Sequence, residues 1–271
     1  MGRLFYYPLF AVLVLVSVGS ATAALTDDLV VHFTFDTVKG KRIFDESGNG
    51  LDARIIKNTQ FVEGKYGKAI RITKETEDCV NVPSADALEI SEEITMMAWV
   101  YHENWMESTS QWFDKGCYSG ASNRSYGMAL FNRENPHSSG IGIILGGEHQ
   151  VRFIIRKDMT NKTWHHIVAT GSGTSVKLYL DGESVNSDGR LPPAFQFLFN
   201  GINDEDLRIG CAKNKPQYAF EDGSIDEVAI WSRVLSDDEI RSAMRGPLLA
   251  VSPKDKIATT WGNLKRKAFQ P

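Results

Sequence analysis

The 271 residues are 42% hydrophobic, 24% charged and 10% aromatic, with a formal net charge of −4 at pH 7. That balance excludes an intrinsically disordered chain and argues against nucleic acid as a general partner. The length accommodates one large β or α/β domain, or two small ones, with a sizeable core.

In chain order, the first element is a targeting segment. Arg3 forms a short positive head, Leu9 to Val18 an apolar run, and Ala21-Thr22-Ala23 a small-residue cleavage site, so residues 1–23 read as a secretory signal peptide. The apolar run is short for a bilayer span of about 20 residues. No other long apolar run follows, so the processed chain is expected to leave the cytoplasm without a membrane span and to act as a secreted, cell-surface or periplasmic protein. Residues 24–246 then form one domain, and 247–271 a tail that ends in the basic cluster Lys265-Arg266-Lys267.

Within the domain, runs of strand-type composition recur between turn signals: LVVHFTF (29–35), KAIRI (68–72), ITMMAWVYH (94–102), YGMALF (126–131), GIGIIL (140–145), VRFII (151–155), WHHIVAT (164–170), SVKLYLDG (175–182), LRIG (207–210) and IDEVAIW (225–231). Many short strands without intervening helical patterns predict an all-β, antiparallel sandwich. Val176, Leu178 and Leu180 alternate with polar or amphipathic residues, and Asp181-Gly182 supplies a tight hairpin turn into a strand over 183–185. Ser236 and Glu239 make a capping box that starts a short helix through Met244, ended by Gly246-Pro247. The three cysteines, Cys79, Cys117 and Cys211, are widely spaced. They leave two readings open, one disulfide with a remaining thiol or three buried small hydrophobes.

The ordered motifs FDTVKGKRIFDESGNGLDA, YGKAIRI, ITMMAWVYH, KTWHHIVATGSGTSVKLYLDG, LRIG and GSIDEVAIWSRVLSDDEI resemble the bacterial laminin-G-like domains of the concanavalin A-like lectin/glucanase superfamily. The resemblance covers about residues 29 to 244. It implies a jelly roll of two packed antiparallel sheets, and binding of glycans, matrix or other proteins as the commonest role.

In GSIDEVAIW, a strand period of two places Asp226 on the same face as Val228 and Ile230, which is the core face. A buried carboxylate needs a cation or several donors. The loop Asp45-Glu46-Ser47-Gly48-Asn49-Gly50-Leu51-Asp52 is rich in oxygen ligands of the kind calcium takes. The resemblance implies a structural calcium where the first loop meets the last strand, carried over here to Asp36, Asp45, Asn49 and Asp226. The alternative is that DESGNG is turn chemistry, and that Asp226 caps backbone amides or pairs with Arg42 or Arg71.

Nothing in the chain spells an enzyme. No Glu has an Asp two positions later, as the usual glycosidase strand on this sandwich requires, and there is no GxSxG, HExxH or P-loop. His165 and His166 are adjacent on a strand, face opposite sides and cannot chelate one ion together. Aromatic residues interleaved with polar ones in 104–126, expected to be a long polar loop between strands, suit a sugar ring, which makes Trp105, Trp112, Tyr118 and Tyr126 the candidate ligand-binding residues. The expected function is non-enzymatic recognition of carbohydrate or a surface glycoconjugate. The alternatives are a protein–protein adhesion or structural module that docks through Trp261 in the tail, and a polysaccharide-degrading enzyme.

Overall fold

The computed structural model describes residues 24–73, 79–105, 110–116, 124–131, 140–146, 151–155, 159–173, 175–185, 202–211, 220, 222–246 and 248. The strands are β1 (Leu29–Phe33), β2 (Val38–Lys39), β3 (Arg42–Ile43), β4 (Ala53–Ile56), β5 (Gln60–Glu63), β6 (Lys68–Thr73), β7 (Cys79–Val82), β8 (Ile94–His102) and β9 (Ser110–Gly116). There follow β10 (Arg124–Phe131), β11 (Gly140–Leu145), β12 (Val151–Ile155), β13 (Trp164–Gly171), β14 (Val176–Leu180), β15 (Glu183–Ser184), β16 (Leu207–Ile209) and β17 (Asp222–Trp231), then the helix α1 (Asp237–Met244).

The strands form two antiparallel sheets. One runs β15-β14-β13-β8-β17-β6-β5, with β1 also paired to β17; the other runs β12-β11-β10-β9-β16-β7-β4-β3-β2. Between them lies one large apolar cluster that takes Val31, Phe33, Met96, Ala98, Val100, Ile225, Val228 and Ile230 from the first sheet. The second sheet contributes Ile55, Val80, Phe113, Met128, Ile143, Leu207 and Ile209. Each such large apolar side chain contributes about 1.5–3 kcal/mol by its burial. This is the jelly-roll sandwich that the strand count predicts.

Local sequence explains the details. Asp181 and Gly182 have φ of 52° and 82°, the two positive values of the tightest hairpin turn, which joins β14 to β15. The Ser236 hydroxyl accepts from the Glu239 backbone while the Glu239 carboxylate accepts from the Ser236 backbone, so the capping box starts α1 as its sequence predicts. The helix lays Ile240 and Ala243 over Leu29, Met97, Val168, Tyr179, Ala229 and Trp231 on the outer face of the first sheet. Cys79 and Cys211 are joined by a disulfide that links β7 to the end of β16, which decides between the two readings of the cysteines for that pair. Cys117 lies outside the described residues.

Two sequence expectations are corrected. The segment 104–126 is not one long loop, because β9 runs through it and pairs with both β10 and β16. And Asp226 does not share a face with Val228 and Ile230. In β17, Asp226 lies opposite Trp99 and Ala229 opposite Met97, so three steps on β17 match two on β8. This bulge, with Glu227 at φ 48°, resets the alternation. Ile225, Val228 and Ile230 all point into the core, and Asp226 turns with Ala229 and Trp231 to the outer side.

Candidate functional site

The bulge lies where β6 and β1 meet end to end along one edge of β17: β6 pairs with residues 222–225 and β1 with residues 228–231. The fully buried Asp226 accepts hydrogen bonds there from the Tyr66 amide (3.0 Å) and the Glu227 amide (2.7 Å). The Lys65 amide donates to it as well. Its partner is thus the turn between β5 and β6, as the amide-capping alternative has it. Burial pushes its carboxyl up to about 8, and the neighbouring Glu227 charge acts in the same direction, against the pull of the three amides.

The other residues named for calcium are also engaged by protein groups. Asp36 is exposed and accepts from the Lys68 amide at 2.7 Å, on the same β5–β6 turn. Asp45 accepts from the amides of His32, Ser47 and Leu51 at 3.0 Å each, and from the Ser47 hydroxyl at 2.8 Å. Asn49 spends its NH2 group on the carbonyls of Leu29 and Val30. These residues form two hydrogen-bonded knots, one around the β5–β6 turn and one around β1, in place of a single oxygen cage. Among the described residues, no three or more His, Cys, Asp or Glu side chains gather as metal ligands. The donor set does not fit a calcium ion shared by these four residues.

The aromatic candidates belong to the sandwich interior. Trp112 and Tyr126 are fully buried and Trp105 is 4% exposed. Trp105 donates its ring N–H to the Thr160 carbonyl and meets Trp112 edge-on at 6.1 Å, while the Tyr126 hydroxyl donates to the Leu88 carbonyl. A bulge between β9 and β10, where Met128 faces Phe113 but Ala129 faces Gln111, lets consecutive Trp112 and Phe113 both turn inward. Rings so placed cannot stack on a sugar. Tyr118 lies outside the described residues.

The polar surface is elsewhere, on the outer face of the second sheet. Register alone builds it: Lys39 lies opposite Arg42, Arg42 opposite Arg54, Arg54 opposite Asn81, Asn81 opposite Arg208, Arg208 opposite Asp114, and Asp114 opposite Gly127. Each of Arg54, Asn81 and Arg208 sits between two core residues, in Ala53-Arg54-Ile55, Val80-Asn81-Val82 and Leu207-Arg208-Ile209, so their side chains share the face away from the core. At the spacing of neighbouring strands, about 4.7–4.9 Å, the row from Lys39 to Asp114 spans roughly 24 Å. It is open at Lys39, Arg42 and Arg54, half-buried at Asn81 and Arg208, and closed at Asp114.

The closed end is shaped by a missing side chain. A Cβ on Gly127 would lie 2.9 Å from the Phe113 carbonyl oxygen and 3.3 Å from both Asp114 Oδ1 and Gln111 Nε2, so glycine leaves that space to the two polar groups. Gln111 is fully buried and donates to the Phe113 carbonyl, yet its Oε1 has no hydrogen-bond partner, and neither has Arg208 Nη1. Buried polar atoms without partners are costly, and they mark where a ligand's hydroxyls could supply them. Sequence reasoning passed over this row. Its signal was present as single polar residues between pairs of apolar ones on separate strands, but only the pairing order aligns them.

Other acidic and basic side chains carry structural duties. Asp206 accepts from the Asn81 side chain and the Ser84 amide, and Asp237 from the Tyr179 hydroxyl. The buried Lys115 ammonium is held by Glu89 at 2.8 Å and by oxygens of Asn203 and Glu205. His165 and His166 face opposite ways as expected: His165 bonds Asp181, and His166 packs on Trp99 at 5.1 Å.

Residues 74–241 match the profile of Laminin_G_3, described as concanavalin A-like lectin/glucanases superfamily. No curated protein matches the sequence. Among solved structures, domain 4 of AbnA, a GH43 extracellular arabinanase from Geobacillus stearothermophilus in complex with arabinotriose, is 20% identical with a TM-score of 0.60, over 80% of this chain and 98% of that one. The binding domain of botulinum neurotoxin DC, in complex with rat synaptotagmin II, is 12% identical with a TM-score of 0.60, over 82% of this chain and 52% of that one. A mutant of Trypanosoma rangeli sialidase is 16% identical with a TM-score of 0.57, over 82% of this chain and 33% of that one. At these identities the likeness is one of fold, and it is the same two-sheet architecture in each case. With its strand order, core and capped terminal helix described, and its profile matched across most of the domain, the chain belongs to the Laminin_G_3 family of the concanavalin A-like lectin/glucanases superfamily.

Proposed function

We propose that this protein is a non-catalytic carbohydrate-binding module that works outside the cytoplasm, and that it reads its ligand along the outer face of the second sheet. The observation that carries this reading is the cross-strand polar row with two unsatisfied groups, Gln111 Oε1 and Arg208 Nη1, at its enclosed end. Saccharides present closely spaced hydroxyls that both donate and accept, and they suit a site with a free carbonyl, a free guanidinium N–H and an amide in line. The arabinanase domain in complex with arabinotriose supports the reading by analogy of fold. The Cys79–Cys211 disulfide supports an oxidising compartment, in keeping with the expected signal peptide. Calcium has no part in this reading.

The test is a glycan array probed with the full chain, followed by titration calorimetry on the strongest hit. Binding that drops at least about tenfold in Arg208→Ala and in Gln111→Ala, with the unfolding midpoint retained, supports the site. Absence of any glycan signal overturns the reading. Release of new reducing ends or unsaturated products from a bound polysaccharide would overturn its non-catalytic part.

A further inference from the structure

At its open end the row enters a surface groove of about 440 Å³ lined by Lys39, Lys41, Arg42, Gly50, Asp52, Ala53, Arg54 and Pro83. Four of these residues are cationic and one is acidic, in a chain whose net charge is −4. Asp52 is committed to Arg42, with which it forms an ion pair, and it also accepts from the Asp45 amide. The side chains of Lys39, Lys41 and Arg54 have no hydrogen-bond or ion-pair partner among the described residues, and all three residues are exposed.

The placement works against stability. Lys39 is directly opposite Arg42, and Arg42 directly opposite Arg54, so three cations face one another across three strands. Like charges in directly opposed pairs destabilise a sheet, where an acid at either outer position would have stabilised it. The directly opposed like charges are confined to the rim that leads onto Asn81 and Arg208. From the Arg54 strand onward the row carries only one further cation, Arg208, and ends at the carboxylate of Asp114. An anion is therefore favoured at the edge and disfavoured at the centre.

We propose that the groove between β2 and β4 binds the carboxylate or sulfate groups of an acidic polysaccharide, whose neutral hydroxyls continue along Asn81 and Arg208. This rests on the glycan-binding reading and narrows the ligand to an acidic polymer. A polymer is indicated because the opposed cations are spread over two strand spacings, about 10 Å, and so meet successive charged groups better than one small anion. Arg42, held by Asp52, is fixed in direction, while Lys39, Lys41 and Arg54 are free to pair with acidic groups in solvent.

The experiment titrates the full chain with polygalacturonate, chondroitin sulfate, neutral arabinan and a single-stranded DNA oligonucleotide of matched charge, at two salt concentrations. Tight binding of one or both acidic polysaccharides is expected, with affinity falling as salt rises. Lys41→Ala/Arg54→Ala should lose about tenfold for the acidic probe and keep its unfolding midpoint. Preference between polygalacturonate and chondroitin sulfate identifies carboxylate or sulfate as the group held. Arabinan bound as tightly as the acidic probes, and insensitive to the double substitution, overturns the anionic groove while leaving glycan binding intact. DNA bound as tightly as either polysaccharide overturns the groove as a saccharide site. Loss of all glycan binding in the unmodified chain overturns both readings.

Discussion

His32 Nε2 lies 2.8 Å from Glu227 Oε2, with both side chains buried, and this contact bridges the first strand to the bulge in the last. The His32 amide also donates to Asp45, so one residue joins the first loop to β17. Glu227 sits at φ 48°, a region that costs a non-glycine residue energy unless its surroundings fix it. Glu227→Ala, by leaving His32 buried without that partner, should destabilise the fold by about 2 kcal/mol or more. Glu227→Gln keeps an acceptor and should cost less. Urea unfolding checks the order, and equal losses in the two variants would remove the contact's assigned role.

Buried titratable side chains on both faces of the first sheet set a pH optimum. Burial holds the rings of His166 and His102 at about 4 and about 3, below the ordinary 6.5, so the unfolded chain binds more protons below pH 6.5 and stability falls as pH drops from there. Asp226, raised to about 8, acts in the opposite sense. The folded chain holds its proton above the unfolded value near 3.8, so this contribution is full below about pH 4 and is lost as pH rises through 8. Stability should therefore peak between these limbs, near pH 6. His166→Phe, whose ring replaces two unpartnered nitrogens packed on Trp99, should flatten the acid limb. Asp226→Asn should flatten the alkaline one. Unfolding midpoints from pH 4 to 9 test both.

Fold and site were not equally legible in the sequence. The strands over 94–102, 140–145 and 151–155 are long, apolar or alternating, and end where composition says they should. The two-residue strands β2 and β3 and the polar β9 carry too little pattern to stand out. Asp226 was singled out rightly as a buried carboxylate, but strict alternation misplaced it because a bulge adds a residue that only pairing reveals. The aromatic candidates failed for a similar reason: Trp112 beside Phe113 breaks the alternation that would have marked it as core. The polar row was illegible because its members come from strands far apart in sequence.

Loss of the Cys79–Cys211 disulfide should destabilise the domain strongly. The two residues are 132 positions apart and lie at the ends of paired strands β7 and β16. Freeing so long a loop returns considerable entropy to the unfolded chain, so removal should cost about 2–5 kcal/mol. A Cys79→Ala/Cys211→Ala variant compared with the parent in denaturant tests this, and an unchanged midpoint would show the bond to be dispensable.

Chelator should leave stability unchanged. Asp45 accepts four hydrogen bonds from the protein, Asp226 three amides, and Asn49 directs its NH2 group at two carbonyls, so no shared cation is needed to neutralise or orient them. A bound calcium ion would add RT ln(1 + [L]/Kd) to the unfolding free energy, which appears as a concentration-dependent midpoint. Thermal unfolding in EDTA and in millimolar calcium is expected to coincide. A higher midpoint in calcium that Asp45→Asn or Asp36→Asn abolishes would restore a metal at the first loop, and would mean that the hydrogen bonds around Asp45 rearrange to admit it.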